Sequence, residues 1–263
     1  MSKEQKLKGL SLKTGPLGEY DRLLTLLSDT EGIIRLAVPG ARRPKSRLAA
    51  AASLTFLDLQ ITNSTGLRRV KQIKIIKSFS TLGTNIESLA SAQIISELCL
   101  LLVGTKDPQP KTLNTVLLHL ERLELNAFNP SLTLSVCVQA CIHLLALGGY
   151  NLPLNTCCKS GVNLDPPIGN WDWRCSFIRS EGFALGSIKD VPLKLNASEL
   201  ALLQRLIKPE LPIKKDGMIM GPIDVWIKFL DIIDQWVEEH LQKKISSLTI
   251  LRPVYKDPNI FQS

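Results

Sequence analysis

A run of basic residues near the N-terminus is the densest group of side chains in this sequence that could do chemistry. It reads Ala-Arg-Arg-Pro-Lys-Ser-Arg from residue 41 to residue 47 and follows Gly40. Because Pro44 disfavours a regular strand ladder, the run is expected to project as a loop. A loop of like charges can contact successive phosphates, whereas the alternative is a solvated surface loop without a ligand. The candidate phosphate-binding residues are Arg42, Arg43, Lys45 and Arg47.

The charge of the chain is concentrated around this run. Residues 1–80 contain 15 Lys and Arg against 6 Asp and Glu, a net charge of +9, whereas the remaining residues contain 17 against 18. A basic first domain beside a neutral remainder indicates a polyanionic partner, either nucleic acid or an anionic membrane surface. This context favours phosphate binding over a merely solvated loop. The neighbouring runs add the candidates Lys13, Arg35, Arg68, Arg69 and Lys71.

Aromatic residues are scarce in the basic region. Residues 1–80 contain Tyr20, Phe56 and Phe79 as their aromatic residues. Proteins that grip single strands through their bases usually expose more rings than this. Contact is therefore expected to be mainly with the phosphate backbone and tolerant of base sequence.

The cysteines and histidines give no pattern of a metal site or a catalytic centre. The cysteines do not form two C-x-x-C-type pairs, so reduced thiols are predicted and zinc is not. The sequence contains no nucleotide-binding P-loop (G-x-x-x-x-G-K-[ST]), no dinucleotide-binding G-x-G-x-x-G after a strand, no H-E-x-x-H zinc-protease motif and no G-x-S-x-G serine-hydrolase motif. The protein is therefore predicted to be neither an enzyme nor dependent on a cofactor. The residues concerned are Cys99, Cys137, Cys141, Cys157, Cys158 and Cys175, with His119, His143 and His240 expected to be structural.

Short apolar runs separated by turns predict that the basic region is built from strands. In the run from Leu54 to Ile61, alternation places Thr55, Leu57 and Leu59 on one face, which is the expected core face. Five strands in about 75 residues suit a small barrel such as the OB-fold. The predicted strands are Leu7 to Lys13, Arg22 to Leu27, Ile33 to Val38, Ser53 to Ile61 and Val70 to Ser78.

After Phe79 the apolar period becomes helical, so the prediction is an α+β protein with two domains, 1–80 and 81–263. Helices are expected after Pro110, from Ala197 behind an Asn196–Glu199 capping box, and from Ile223. The apolar stretch from Leu132 to Leu147 is expected to be a buried helix. An irregular, cysteine-containing insertion is predicted at about 150–195, held by Trp171, Trp173, Phe177 and Phe183. No export signal follows Met1 to Lys8, which predicts a cytoplasmic protein without a membrane span.

The sequence resembles the RecO family of DNA repair and recombination mediators. The resemblance rests first on Glu19 and Asp21 before an apolar strand, on Gly32, and on the Gly40-to-Ser46 run. Further matches are the Gly149-Tyr150 segment with Cys157 and Gly161, and His240-Leu241 with Ser246-Ser247 near the end.

The resemblance implies an N-terminal OB-fold and a helical domain. It implies binding of single- and double-stranded DNA, annealing of complementary strands, and loading of RecA with RecR onto strands coated by single-strand binding protein. RecF is implied as a further, indirect partner, and the protein would act at the nucleoid.

Two departures from the family pattern concern zinc and the partner site. Many members carry two C-x-x-C pairs, but Ser160 stands at the second position of the first pair here. An Arg expected before Gly-Tyr, in the helix implicated in holding the acidic tail of single-strand binding protein, is replaced near that place by His143. His143 is therefore the candidate partner-binding residue.

Two other functions remain open from the residues alone. A basic barrel would also suit an OB-fold RNA-binding or translation factor. An enzyme with an unrecognised site in the insertion is the second alternative.

Overall fold

The computed structural model describes residues 4–62 and 66–256, and packing divides the chain into two units, residues 1–125 and 126–263. The predicted Asn63-to-Gly66 turn lies mostly outside the described residues. The first unit contains β1 (Glu4–Leu17), β2 (Asp21–Ser28), β3 (Gly32–Val38), β4 (Thr55–Thr62), β5 (Val70–Ser78), α1 (Ile86–Leu102) and α2 (Pro110–Leu125). The second contains α3 (Pro130–Leu147), β6 (Arg174–Ile178), β7 (Gly182–Leu185), β8 (Lys194–Asn196), α4 (Ala197–Arg205), α5 (Ile223–Leu241) and α6 (Leu248–Lys256).

The strands of the first unit form one antiparallel sheet in the order β3-β2-β1-β4-β5. The two outer strands approach each other at a parallel bridge between Ala37 and Arg69, where the Ala37 amide donates to the Arg68 carbonyl at 2.9 Å. The sheet is thus curved into a loose barrel without a continuous closing ladder. The predicted five-stranded, OB-like domain is confirmed.

The alternation along β4 determines which side chains fill the barrel. Thr55, Leu57, Leu59 and Ile61 are buried, while the residues between them are half-buried. This confirms the predicted core face. Alternate residues of β2 and β3 likewise contribute to the barrel core. The core of the barrel comprises Leu7, Leu24, Leu26, Ile34, Leu36, Val38, Ala41, Ala51, Leu57, Leu59, Ile61 and Val70.

The outer face of the sheet is partly covered by the first two helices. Leu10, Leu27 and Ile33 lie opposite one another on adjacent strands and are buried, although they are not part of the barrel core. Helices α1 and α2 both contact β1, and α2 also contacts β2. The packing units therefore divide after Leu125, whereas the division at residue 80 into folding domains stays a prediction.

The helices that the sequence predicts are present, α2 in the first unit and α3, α4 and α5 in the second. The capping box is present, since the Glu199 amide donates to Asn196 Oδ1 and the Asn196 amide donates to Glu199 Oε2, both at 2.9 Å. Helix α5 buries the predicted stripe that includes Trp226, Leu230 and Ile233. Helix α3 is long and apolar enough to cross a membrane by length and composition, but 67% of that stretch is buried inside the protein. The prediction of a buried core helix is confirmed.

The insertion at about 150–195 is more regular than predicted. It contains a small antiparallel sheet in the order β7-β6-β8. Phe177 and Phe183 are buried with ring centroids 5.2 Å apart, as expected of residues that hold the segment together. The prediction for Trp171 is wrong, because this side chain is 84% exposed. Strands of three to five residues are too short to show a period in the sequence.

Candidate nucleic-acid interface

The predicted basic loop joins β3 to β4, and main-chain hydrogen bonds fix its beginning. The Gly40 amide donates to Asp21 Oδ1 at 2.8 Å, and the Arg42 amide donates to the Tyr20 carbonyl at 2.9 Å. Ala41 and Ala51 are buried in the barrel core on either side of the cations. These contacts hold the basic segment at the mouth of the barrel by its backbone and its small residues, which leaves the charged side chains to point outward.

The four cations of the loop are exposed. The Arg42 guanidinium donates to the Gly18 carbonyl at 3.2 Å, and the Arg43 guanidinium lies 4.7 Å from the ring centre of Tyr20. Within the described part of the chain, none of Arg42, Arg43, Lys45 and Arg47 forms a salt bridge with a carboxylate. Their positive charge is therefore presented to solvent without an internal counterion.

A second group of predicted cations lies on the outer face of the sheet. Lys13 of β1 pairs with Thr25 of β2, and Thr25 pairs with Arg35 of β3. Residues directly opposite each other in a ladder point to the same face, and both cations are exposed. They line a groove of about 1120 Å³, to which Arg68 and Lys106 also belong.

One wall of this groove is the segment that follows α1. The Ile33 amide donates to the Gly104 carbonyl at 3.0 Å, and Gly32 forms a bridge with Thr105. Gly32 has a φ of +69°, and a Cβ there would lie 2.4 Å from the Asp107 carbonyl oxygen. This close approach brings Lys106 to the groove. The sequence alone does not predict that Lys106 lines the groove, because its position depends on the contact between residues 32–33 and residues 104–105, which are far apart in the chain.

Arg68 differs from the other predicted cations because its charge is paired. Its guanidinium donates two hydrogen bonds to the carboxylate of Glu31, at 2.8 and 2.6 Å. The hydrogen bond from Arg68 is the main reason that the pKa of Glu31 lies below its usual value. Glu31 also raises the pKa of Arg68 by the same bond. Both groups are therefore held in their charged forms.

The structure brings the predicted cations into two groups and leaves two others outside them. Arg69 and Lys71 are exposed beside and on β5 and do not line the groove. Arg35 precedes the end of β3 by three residues, or ~10 Å of strand. The groove and the basic loop are therefore connected by one short piece of β3.

The predicted partner residue His143 lies on α3, in the second unit. Its Nε2 is 3.0 Å from the carbonyl oxygen of Leu206 and donates to it. The imidazole is half-buried rather than fully exposed. The assignment of His143 to a partner site stays a prediction.

The cysteines of the insertion do not fit a zinc site. Cys157 Sγ accepts a hydrogen bond from the Leu185 amide at 3.3 Å, and a hydrogen bond from Ser160 is the largest of the contacts that lower its pKa to about 7. Burial, and after it the neighbouring Cys157 and Cys158, raise the pKa of the Cys175 thiol to about 12. Within residues 4–62 and 66–256, no three His, Cys, Asp or Glu side chains are grouped as metal ligands.

An OB-like barrel with a cationic loop at its mouth defines the architectural class of the first unit. Comparison with known families then identifies the chain. The family model "Recombination protein O N terminal" matches residues 1–79, and "Recombination protein O C terminal" matches residues 83–249.

Curated proteins agree with this match over nearly the full length. The DNA repair protein RecO of Prochlorococcus marinus (strain MIT 9303) is 54% identical over 256 residues, which cover 96% of each chain. That of Synechococcus sp. (strain WH7803) is 53% identical over 96% of this chain and 95% of the relative. That of Acaryochloris marina (strain MBIC 11017) is 28% identical over 95% of each. The chain belongs to the RecO family, and its role is in DNA repair and recombination.

Proposed function

We propose that this chain is a non-catalytic DNA-binding and strand-annealing protein that contacts DNA through the first unit. The observation that carries the proposal is the exposure of four loop cations that form no salt bridge with a described carboxylate, next to a groove lined by Lys13 and Arg35. Side chains of this kind neutralise phosphates and release condensed counterions, so they bind any sequence with a strong dependence on salt. Single- and double-stranded DNA both present that backbone.

The aromatic residues of the barrel support backbone contact rather than base stacking. Phe79 is buried and Phe56 is half-buried, so neither presents a free ring face. Tyr20 is 45% exposed but already lies against Arg43. Binding should therefore vary little with base composition.

Annealing follows from the same charges. Two complementary strands repel each other through their phosphates, and a protein that neutralises phosphates on both lowers that repulsion. The groove and the basic loop provide two adjacent cationic surfaces, so one molecule can hold two strands close together. Lys13 and Arg35 serve the first surface, and Arg42, Arg43, Lys45 and Arg47 serve the second. Arg69, just before β5, and Lys71, on β5, extend the positive field.

The partners in this proposal are those that family membership suggests. RecR would join the protein in loading RecA onto strands covered by single-strand binding protein, and RecF would take part indirectly. The acidic, apolar-ended tail of single-strand binding protein would dock on the second unit at His143. The protein would work in the cytoplasm at the nucleoid, with no membrane partner, no metal and no cofactor.

The test is binding and annealing by the full chain. Fluorescence anisotropy with single-stranded DNA, duplex DNA and RNA of equal length should give binding of both DNA forms. Complementary strands coated with single-strand binding protein should anneal faster when the protein is added. Tight RNA binding without DNA annealing would favour an RNA or translation factor instead, and turnover that depends on a metal or nucleotide would contradict the non-catalytic assignment.

A further inference from the structure

The ion pair between Arg68 and Glu31 occupies a position where a nucleic-acid phosphate could bind. Two nitrogens of the Arg68 guanidinium donate to the two oxygens of the Glu31 carboxylate. Gln5 donates from Nε2 to the same carboxylate at 2.9 Å and accepts from Arg68 at 3.4 Å. Glu31 and Arg68 both line the groove that carries Lys13 and Arg35.

The groups that donate to the Glu31 carboxylate, the Arg68 guanidinium and the Gln5 amide, can also bind a phosphate. Arginine binds carboxylate and phosphate in the same two-pronged geometry, because both anions offer two oxygens in one plane to parallel N–H groups. Lys106 lines the same groove and is close enough to contribute to the low pKa of Glu31. An anion at this position therefore meets two cations and one amide donor.

We propose that Arg68, Gln5 and Lys106 form a phosphate seat that the Glu31 carboxylate fills in the free protein, and that DNA entering the groove displaces Glu31. The proposal rests on the proposed function, since it assigns a place in the same groove to one phosphate. It makes Glu31 an internal competitor of DNA. Arg68 contributes to binding only after the carboxylate has left.

The pair can open without dismantling the barrel. The bridge between the outer strands uses the main-chain carbonyl of Arg68, not its guanidinium. The side chains of Arg68 and Glu31 are 18% and 22% exposed, so solvent reaches both and the released carboxylate can be hydrated. Glu31 stands in the turn between β2 and β3, outside both strands.

The test compares salt dependence of single-stranded DNA binding for the wild type, Glu31→Gln, Arg68→Ala and the double variant. Glu31→Gln should bind more tightly with the wild-type log–log salt slope, because Arg68 reaches the same phosphate without first losing a carboxylate. Arg68→Ala should lose that contact, so the magnitude of its slope should fall by roughly 0.7, the value for one phosphate of a single strand. The double variant should show the same smaller slope and no gain in affinity over Arg68→Ala beyond that of the control. Glu4→Gln is the matched control, because it removes one exposed carboxylate from β1 of the same unit and should leave both slope and affinity close to those of the wild type.

A second variant distinguishes loss of the Glu31–Arg68 geometry from a general effect of removing one negative charge. Glu31→Asp keeps the negative charge but shortens the side chain by one methylene, so it cannot hold Arg68 in the same way. It should also bind DNA more tightly than the wild type. If folded Glu31→Gln and Glu31→Asp both keep the wild-type affinity, or if folded Arg68→Ala keeps the wild-type slope, the ion pair is only a structural link and the inference is wrong. If the wild type itself fails to bind DNA, the proposed function fails with it.

Discussion

Cys157 illustrates how neighbouring hydrogen-bond donors change the pKa of a thiol. The hydrogen bond from Ser160 and the amide of Leu185 stabilise its thiolate and lower its pKa to about 7. A metal would supply the same stabilisation, but it needs further ligands, and the described residues group no three of them. Hydrogen bonds from the chain itself therefore account for the lowered pKa of Cys157.

The purified protein is expected to hold no stoichiometric zinc. Ser160 replaces the second cysteine of the first pair, and the described residues group no three metal ligands. Elemental analysis of protein purified without chelator measures the content. One zinc per chain, removed by chelator with loss of helicity, would show that Cys157, Cys158 and Cys175 recruit a fourth ligand.

His143 is expected to make tail binding depend on pH if it supplies the cation of the partner site. A carboxylate that leaves water without a partner costs several kcal/mol. An ordinary imidazole titrates near about 6.5, so binding of a labelled tail peptide should strengthen as pH falls from about 7.5 to 6. His143→Ala should abolish that gain.

His143→Gln is the control, because Gln can still donate to the Leu206 carbonyl but carries no charge. It separates the structural hydrogen bond from the cation. Affinity that is unchanged by pH and survives both substitutions would remove His143 from the site. Lys106, Lys111 and Arg122 are then the alternative cations, and because they belong to the first unit the tail would dock there instead.

At the scale of elements, the turn before β3 is what fixes the groove wall. Gly32 has a left-handed φ of +69°, and an added Cβ would approach the carbonyl oxygens of Asp107 and Gly104 to 2.4 and 2.6 Å. Both neighbours are backbone atoms, which cannot move aside without shifting the segment. The position therefore requires glycine for its conformation and for its space.

Gly32→Ala is expected to lower the free energy of unfolding by roughly 2–5 kcal/mol, from backbone strain together with overpacking. Gly18→Ala is the matched control, since Gly18 has a φ of +62° but nothing within 4 Å of an added Cβ. It should cost about 1 kcal/mol, the strain alone. Urea unfolding at constant m-value measures both. Equal losses would mean that the wall of residues 104–107 does not constrain Gly32.

The elements that the sequence predicts correctly are those whose pattern repeats several times. β4 shows four alternations and α5 shows five turns of apolar spacing, so the apolar pattern predicts both the type of element and its buried face. β6, β7 and β8 show none, because each is only three to five residues long. Local charge density likewise revealed the basic loop. Glu31 pairing with Arg68, and Lys106 beside Arg35, depend on contacts between distant residues and leave no local signal.

At the scale of the whole molecule, the excess positive charge lies in the N-terminal part of the chain. The net charge of +9 in residues 1–80 resides in the barrel, while the remainder is close to neutral. Most cations of the barrel lack a carboxylate partner within hydrogen-bond distance, and Arg68 and Lys77 are the described exceptions. An uncompensated field of this kind attracts polyanions over a distance set by the ionic strength. The charge therefore supports the proposal that the first unit binds DNA, whereas partner binding by the second unit stays a proposal from the family resemblance.

The central claim, that the basic loop binds DNA phosphates, is tested most directly by the salt slope of a triple variant. In Arg42→Ala/Arg43→Ala/Lys45→Ala the main-chain anchors at Gly40 and Arg42 remain. The control is Lys208→Ala/Lys214→Ala/Lys215→Ala, which removes three exposed cations from the second unit. If each loop cation contacts one phosphate, the magnitude of the slope for the loop variant should fall by about 2 to 3 units, and that of the control should not change. A folded loop variant with the wild-type slope, or an equal fall in the control, would contradict the account.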